Sequence, residues 1–410
     1  MIELGIDQMT VIFSPSPVYS QMNAHLSWEN QAKDLIHIVE EKSRFEELLG
    51  KKQEAEKPPY TYTKAFTYGD HSFYLAIGYH PDYSNIGCAL TFSAQGLAYY
   101  LGKAACSLYE YLQRLQSIFY DFHLSRVDLT ADYYNEPFTI TEIYDDWLNH
   151  KISIAREYTN DLSGLRYYKL LDLQVNGFIT GSDVSTIYVG SKQSKAQLTI
   201  YDKRLEQFQR TGPYFEKASN CNSWIRFEAE FHGSYAHQIT DHLLNLHSDL
   251  EYADMIASIL YQKFRFVYVD DGTIIGDTLY SEMLANCISK SNYALKSATN
   301  KNYDLARSFV YQLQGSGLMA ALGKSERIWG KDCLPVFEQL FKEEYRKHLL
   351  NHDAQIWLVK NKQFYQERYP DVADFISDIQ LILRGDPNEQ QKPKKDATGK
   401  QNAEQGSPQS

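Results

Sequence analysis

The sequence predicts an α+β fold: a mostly antiparallel central sheet with helices packed on one face, followed by a helical C-terminal region. Three observations carry this. Runs such as "RVDLTAD" and "WIRFEAEF" alternate apolar and polar residues with the period of strands that bury one face. Several runs are joined by turns of a few residues, too short for the crossover that parallel strands need. Stretches with helical spacing lie between them, and beyond about residue 275 the strand signal fades.

Taken in order, "GIDQMTVIF" (5–13) reads as a strand, and 28–50 as a helix that stops on Gly50. The charged "KKQEAEKPPY" reads as a linker or turn, marked by Pro58 and Pro59. Three strands are expected between 61 and about 94, then one amphipathic helix from Leu97 to about Phe119. A strand over "HLSRVDLTADYY" precedes a helix at 139–156, capped by Thr139 or Thr141. Strands follow at roughly 165–180, 184–190, 196–203 and 224–233, then a helix at 234–247. Helical patterns run on to about 384, and the tail from 385 is too polar to order itself.

Net charge is −11, which argues against indiscriminate nucleic-acid binding by the whole chain. Two basic islands, 186–217 and 288–331, stand out against that acidic bulk, and local phosphate contact or a solvated surface are both open for them. No apolar run is long enough for a membrane span, and the N-terminus lacks the layout of a signal peptide. The five cysteines show no CxxC or zinc-like spacing, so reduced thiols in a cytoplasm are expected.

Strand parity sorts side chains by face. Val127, Leu129 and Ala131 oppose Arg126, Asp128, Thr130 and Asp132. Ile225, Phe227, Ala229 and Phe231 oppose Trp224, Arg226, Glu228 and Glu230, and Leu198 and Ile200 oppose Thr199, Tyr201 and Lys203. If these strands are neighbours, one face gathers four carboxylates beside a tyrosine and a lysine. Like charges facing each other across strands are destabilising. Parity leaves two offsets open: an ion-pair lattice through Arg126, Arg226 and Lys203, or a divalent cation, Mg²⁺ or Mn²⁺, on an all-oxygen ligand set. A phenol with a pKa near 10 is about one part in a thousand phenolate at pH 7, so Tyr201 would need nearby positive charge to act as a nucleophile.

Three stretches, "SRVDLTADYY" (125–134), "TIYVGSKQSKAQLTIYDKRLE" (186–206) and "WIRFEAEFHG" (224–233), in this order and spacing, resemble the trans-acting plasmid replication initiators of the rolling-circle type. That family also includes relaxases of integrative conjugative elements. "GIDQMTVIF" and "CALTFSAQGLAYYL" are similar to its first strand and its strand-to-helix step, so the resemblance spans roughly residues 5 to 270. It implies a rolling-circle-initiator-like sheet and a site-specific DNA strand transferase, which nicks one strand at an origin. The 5′-phosphate becomes joined to tyrosine, and a 3′-OH is left for a polymerase.

The family's arginine-x-tyrosine-x-lysine segment matches Thr199 to Lys203, which implies Tyr201 as nucleophile, with Tyr188 a structural partner. Lys203 and Arg226 become the catalytic cations, and Asp128 and Glu228 the ligands of Mg²⁺ or Mn²⁺, with Asp132 and Glu230 as further ligands or supports. Lys192, Lys195 and Arg204 are the implied DNA contacts. Thr199 stands where the family has arginine, and Lys192 replaces the arginine of a glycine-serine-arginine turn. No His-x-His pair occurs, and His232, His237, His242 and His247 are expected to be spread round a helix, unrelated to metal.

The expected layout is an N-terminal strand, helix and linker (1–60), a nicking domain (61–270), a helical region (271–384) and a disordered tail (385–410). The helical region is expected to grip double-stranded origin DNA, to mediate homodimerisation, or simply to pack. Expected partners are origin DNA, single-stranded at the nick and double-stranded beside it, and a host helicase and polymerase, with no membrane. A catalytically inactive origin-binding regulator of the same fold is the alternative function.

Overall fold

The computed structural model describes the chain except residues 60, 71–72, 160–165, 181–182, 211–213, 290–292, 297–304, 316, 351, 370 and 385–410. It divides into two compact units, Met1–Ser297 and Ala298–Ser410. The tail expected to be disordered lies outside the described residues.

The first unit holds the sheets. β1 (Ile2–Pro15), β2 (Lys52–Glu54), β3 (Lys64–Tyr68), β4 (Leu75–Tyr79), β5 (Cys88–Phe92) and β6 (Tyr120–Tyr134) share one sheet with β9 (Val175–Thr180), β10 (Asp183–Val189), β11 (Ala196–Asp202) and β12 (Trp224–His232). Its ten strands run in the order β2-β3-β4-β5-β1-β6-β12-β11-β10-β9, and the pairs with a defined register are antiparallel. A four-stranded sheet, β14-β13-β7-β8, is built from β7 (Ile152–Thr159), β8 (Arg166–Leu171), β13 (Arg265–Asp270) and β14 (Thr273–Asp277). β1 lies in the middle of the large sheet, between β5 and β6, so the N-terminal strand is part of its centre.

Parity works as expected on the apolar side. Met9, Val11 and Phe13 of β1 and Val127, Leu129 and Ala131 of β6 are all fully buried. Over them pack α2 (Trp28–Ser43), α4 (Ala94–Ala104), α5 (Leu108–Leu115), α9 (Ser234–Leu244) and α10 (Asp249–Phe264). Two expected helices prove broken. Arg44 turns left-handed (φ 54°), so the first ends at Ser43 and a short α3 (Phe45–Leu49) follows, closed by Gly50 at φ 115°. Ala105 does the same after α4, and Ser107 and Glu110 form a reciprocal capping box that starts α5 afresh. Thr139 and Glu142 form another box at the head of α6 (Ile140–Leu148), which ends before β7, so residues 152–156 are strand, not helix.

The other face of the large sheet is not left bare. α7 (Lys203–Arg210) and α8 (Phe215–Ser219) place Phe208 and Tyr214 against Tyr134, Ala218, Cys221 and Trp224, covering one end of the polar side. The remaining first-unit helices are α1 (Pro17–Met22) and α11 (Leu279–Asn286). The second unit is helical: α12 (Leu305–Val310), α13 (Leu318–Trp329), α14 (Cys333–Lys347), α15 (His352–Arg368) and α16 (Val372–Arg384). Phe309 meets Phe375, which also packs on Tyr369. No disulfide joins the five cysteines. No helix among the described residues is long and apolar enough to cross a membrane.

Candidate active site

The site is assembled by register. β12 pairs with β6 on one side and β11 on the other, so Arg226 faces both Asp132 and Tyr201, Glu228 faces both Thr130 and Thr199, and Glu230 faces Asp128. Strand β11 ends just after Tyr201. Asp202 caps α7 by accepting from the Leu205 N–H at 2.8 Å, so Lys203 is the first residue of a helix and not a strand residue, as parity had it. Its ammonium still reaches back, and Lys203 Nζ donates to Tyr201 Oη at 3.3 Å. Tyr201 in turn donates to Glu228 Oε2 at 2.7 Å. Thus the expected tyrosine, lysine and one carboxylate are brought together.

The remaining carboxylates are held by arginines. Arg226 grips Asp132 bidentately, at 2.7 Å from both Nε and Nη2, and Trp224 Nε1 donates to the same carboxylate at 2.7 Å. Arg226 Nη1 lies 2.8 Å from Asp7, close enough for an ion pair but not aligned for a hydrogen bond. Arg126 holds Asp128 bidentately at 2.9 and 2.7 Å and also pairs with Glu230, which His232 contacts from its other side. Arg126 and Arg226 thus form the ion-pair lattice that parity had left open, whereas Lys203 pairs with Glu206 at 2.6 Å. Among the described residues no group of three or more His, Cys, Asp or Glu is placed to hold a metal ion. The donor chemistry of Asp128, Glu228, Asp132 and Glu230 suits a hard cation, but the arrangement seen is not a ligand set.

The patch is only partly open to solvent: Tyr201, Glu228, Glu230 and Arg126 are half-buried, and the rest is closed. Asp128 is 1% exposed, Asp132 and Arg226 5%, and Lys203 6%. Burial therefore governs the electrostatics. It pushes the Glu228 carboxyl up to about 7, with Asp7 and Asp128 adding repulsion. It pushes Asp128 up to about 6 even though Arg126 opposes the shift. The Tyr201 phenol is held well above its ordinary value by burial and then by Glu228, with Arg226 pulling the other way. At rest, Tyr201 is a neutral phenol that donates to a carboxylate of raised basicity.

Asp7 is the site residue that sequence reasoning missed. It is the extra residue of a β-bulge: Ile6 pairs with Leu129 and Gln8 with Asp128, leaving Asp7 between them and beside Arg226. The signal was present, because the apolar positions of β1 switch from even numbers (Leu4, Ile6) to odd (Met9, Val11, Phe13) across it. Lys192 and Lys195 project from the exposed turn between β10 and β11, and Lys195 Nζ donates to Ser234. Arg204 is committed through Nε to the carbonyls of Ala218 and Cys221, at 3.1 and 2.9 Å. His232 ends β12 and His247 follows α9, so only His237 and His242 ride on a helix.

Beside the site, Gln8, Thr10 and Arg126 form the floor of an open groove of about 520 Å³, walled by Pro58, Tyr62 and Tyr74. The model of the replication initiation factor family matches residues 122–313, just under half the chain, and this segment includes β6, β11 and β12. The resemblance read from the motifs therefore holds there. A rolling circle replication initiator protein from Geobacillus stearothermophilus is similar in structure, with a TM-score of 0.46 and 13% sequence identity, covering 72% of this chain and 100% of that one. No curated protein matches.

Proposed function

We propose that this chain, whose residues 122–313 match the replication initiation factor family, is a site-specific DNA nicking-closing protein with Tyr201 as its nucleophile. It would start rolling-circle replication, or conjugative transfer, of a plasmid or mobile element. The observation that carries the reading is the Lys203–Tyr201–Glu228 chain of hydrogen bonds within that segment.

The chemistry follows from the protonation states. Glu228, pushed up to about 7, is a better proton acceptor than an ordinary carboxylate and already receives the phenol proton's hydrogen bond. As Tyr201 Oη bonds to phosphorus, its proton passes to Glu228. The bond from phosphorus to the 3′-oxygen breaks, and that oxygen leaves as a 3′-OH after taking a proton. A 5′-phosphotyrosine ester remains, preserving the bond for later closure. Lys203 places positive charge beside the attacking oxygen. Arg226 fixes Asp132 and supplies charge behind Tyr201. Lys192 and Lys195 would meet backbone phosphates from their exposed turn, with Arg204 at the head of α7, and the Tyr62–Tyr74 groove would take unpaired bases. A divalent cation belongs to the proposal too: in an arrangement other than the ion-pair lattice seen here, Asp128 and Glu228 would hold Mg²⁺ or Mn²⁺, which would polarise the phosphodiester.

The test is nicking of a supercoiled plasmid that carries the cognate origin. Wild-type protein with Mg²⁺ or Mn²⁺ should yield open circles and a protein–DNA adduct that survives denaturing gels, and chelation should abolish both. Tyr201→Phe should lose nicking by at least about 10³-fold while origin binding persists. One observation favours a second reading, an origin-binding regulator without catalysis: Thr199, not arginine, faces Glu228 across the β11–β12 pair. Failure of the wild type to nick while it binds the origin would select that reading.

A further inference from the structure

The four-stranded sheet carries a second feature that the nicking chemistry leaves unused. A cavity of about 580 Å³ lies between β7, β8, α10 and residues 293–296. This is within the range of about 300–1,000 Å³ typical of small-molecule sites. Five cations line it (Arg156, Arg166, Lys263, Arg265 and Lys296) against one carboxylate, Glu157.

Among the described residues, three of these cations, Arg156, Lys263 and Lys296, have no acidic partner. The Arg156 Nε is fully buried and has no hydrogen-bond partner. Lys263 is only 3% exposed, and its ammonium meets a neutral carbonyl, Leu295 O at 3.2 Å, and the face of Tyr235 at 4.1 Å. Burial lowers the Lys263 pKa, and Arg156 adds repulsion. Lys169 sits directly opposite Arg156 across the β7–β8 pair, a like-charge pairing that is unfavourable by itself. Arg265 is already neutralised by Asp277, at 2.8 Å. Keeping an unsatisfied guanidinium N–H beside a buried ammonium costs free energy unless an anion completes the set. The walls add a second requirement: Tyr158, stacked on Tyr167, Tyr168, under the Arg265 guanidinium, and Tyr293 surround a volume far larger than a bare anion needs.

We propose that this cavity is a nucleotide site, in which Arg156 and Lys263 take a phosphate and the tyrosines stack on the attached base. An arginine fork and a lysine point charge are the side chains suited to phosphate oxygens, and base stacking on tyrosine is indifferent to base identity. The ligand is either a free nucleotide or one nucleotide of a DNA strand. The site lies on different strands from Tyr201, and nothing in this inference depends on the nicking reading.

Titration calorimetry on the full chain tests it with 5′-dAMP, 2′-deoxyadenosine, inorganic phosphate and an octamer of thymidylate. The expected result is binding of dAMP, the octamer or both, with deoxyadenosine and phosphate each at least tenfold weaker. Arg156→Gln should weaken that binding at least tenfold with an unfolding midpoint no lower than that of the wild type, and Tyr201→Phe should leave the binding unaltered. Binding of dAMP alone assigns a free nucleotide, and tighter binding of the octamer assigns a strand. No binding by any probe, equal binding by Arg156→Gln, or phosphate binding as tight as dAMP would overturn the proposal. Should Arg156→Gln unfold, Arg166→Gln, on the exposed rim, replaces it with an expected loss of at least threefold.

Discussion

At the scale of single residues, the site is an electrostatic compromise. Glu228 is ionised at pH 8, yet burial, Asp7 and Asp128 all favour its protonated form. A carboxyl whose folded-state pKa exceeds its unfolded value of about 4.5 binds more protons when folded, so its contribution to stability falls as pH rises from there towards 7. In urea unfolding with chelator at pH 8, Glu228→Gln should therefore stabilise the protein by on the order of 1–3 kcal/mol, while its nicking with Mg²⁺ or Mn²⁺ present falls by at least about tenfold. Unchanged or lower stability would mean that the charge is better solvated than its surroundings indicate. His123 works with the opposite sign. Burial and the neighbouring His237 ring, tilted at 58° with its centroid 4.1 Å away, lower its pKa below 6.5. The folded state thus resists its protonation, and stability present above pH 6.5 is lost as pH falls through the folded value. His237 itself feels Asp241 and Lys195, and the His232–Glu230 pair runs counter, so the variant comparison is the informative one. The melting temperature of His123→Gln relative to wild type should rise between pH 7.5 and pH 5.5.

At the scale of elements, what the sequence made legible was periodicity, and what it hid was where a local backbone event interrupts periodicity. The three strands that carry the site were readable because one face is continuously apolar, and the register places Arg226 opposite Tyr201 and Glu228 on the diagonal, within hydrogen-bond reach. The covering of one end of the polar face was not readable, since it depends on α7 and α8 folding back over Trp224, a non-local event. The breaks at Arg44 and Ala105 lay beneath continuous amphipathic patterns, although Ser107 and Glu110 carried a capping signature. The bulge at Asp7 left a visible parity switch but no indication of its partner, Arg226. One local event is a strict requirement. Gly87, at φ 68° in the turn that joins β4 to β5, has no room for a side chain: a Cβ there would sit 2.5 Å from the Phe13 carbonyl of β1. Gly87→Ala should therefore destabilise by roughly 1–3 kcal/mol, through both the left-handed backbone and the displaced β1–β5 pairing. An unchanged urea midpoint would show that the turn can adopt another conformation.

At the scale of the molecule, the arrangement separates one closed unit from a helical one. Both sheets, all of the site residues and the nucleotide cavity lie within Met1–Ser297, and nearly every fully buried side chain belongs to that unit. A hydrophobic core of that size is sufficient for independent folding. The boundary is set by Leu295, which is 1% exposed, accepts from Lys263 and donates its N–H to Gln262 at 2.8 Å. Cutting after residue 297 keeps that plug, whereas cutting after 289 removes it and exposes the cavity between α10 and β7. A fragment of residues 1–297 should therefore unfold in one cooperative transition by circular dichroism and keep the Tyr201-dependent adduct on single-stranded origin DNA. Fragment 1–289 should melt several degrees lower, because a buried leucine and two hydrogen bonds to α10 are lost together. Equal melting of the two fragments would show that residues 293–296 contribute little to the fold. That outcome would leave the Tyr201 chemistry untouched, since none of its groups depends on those residues.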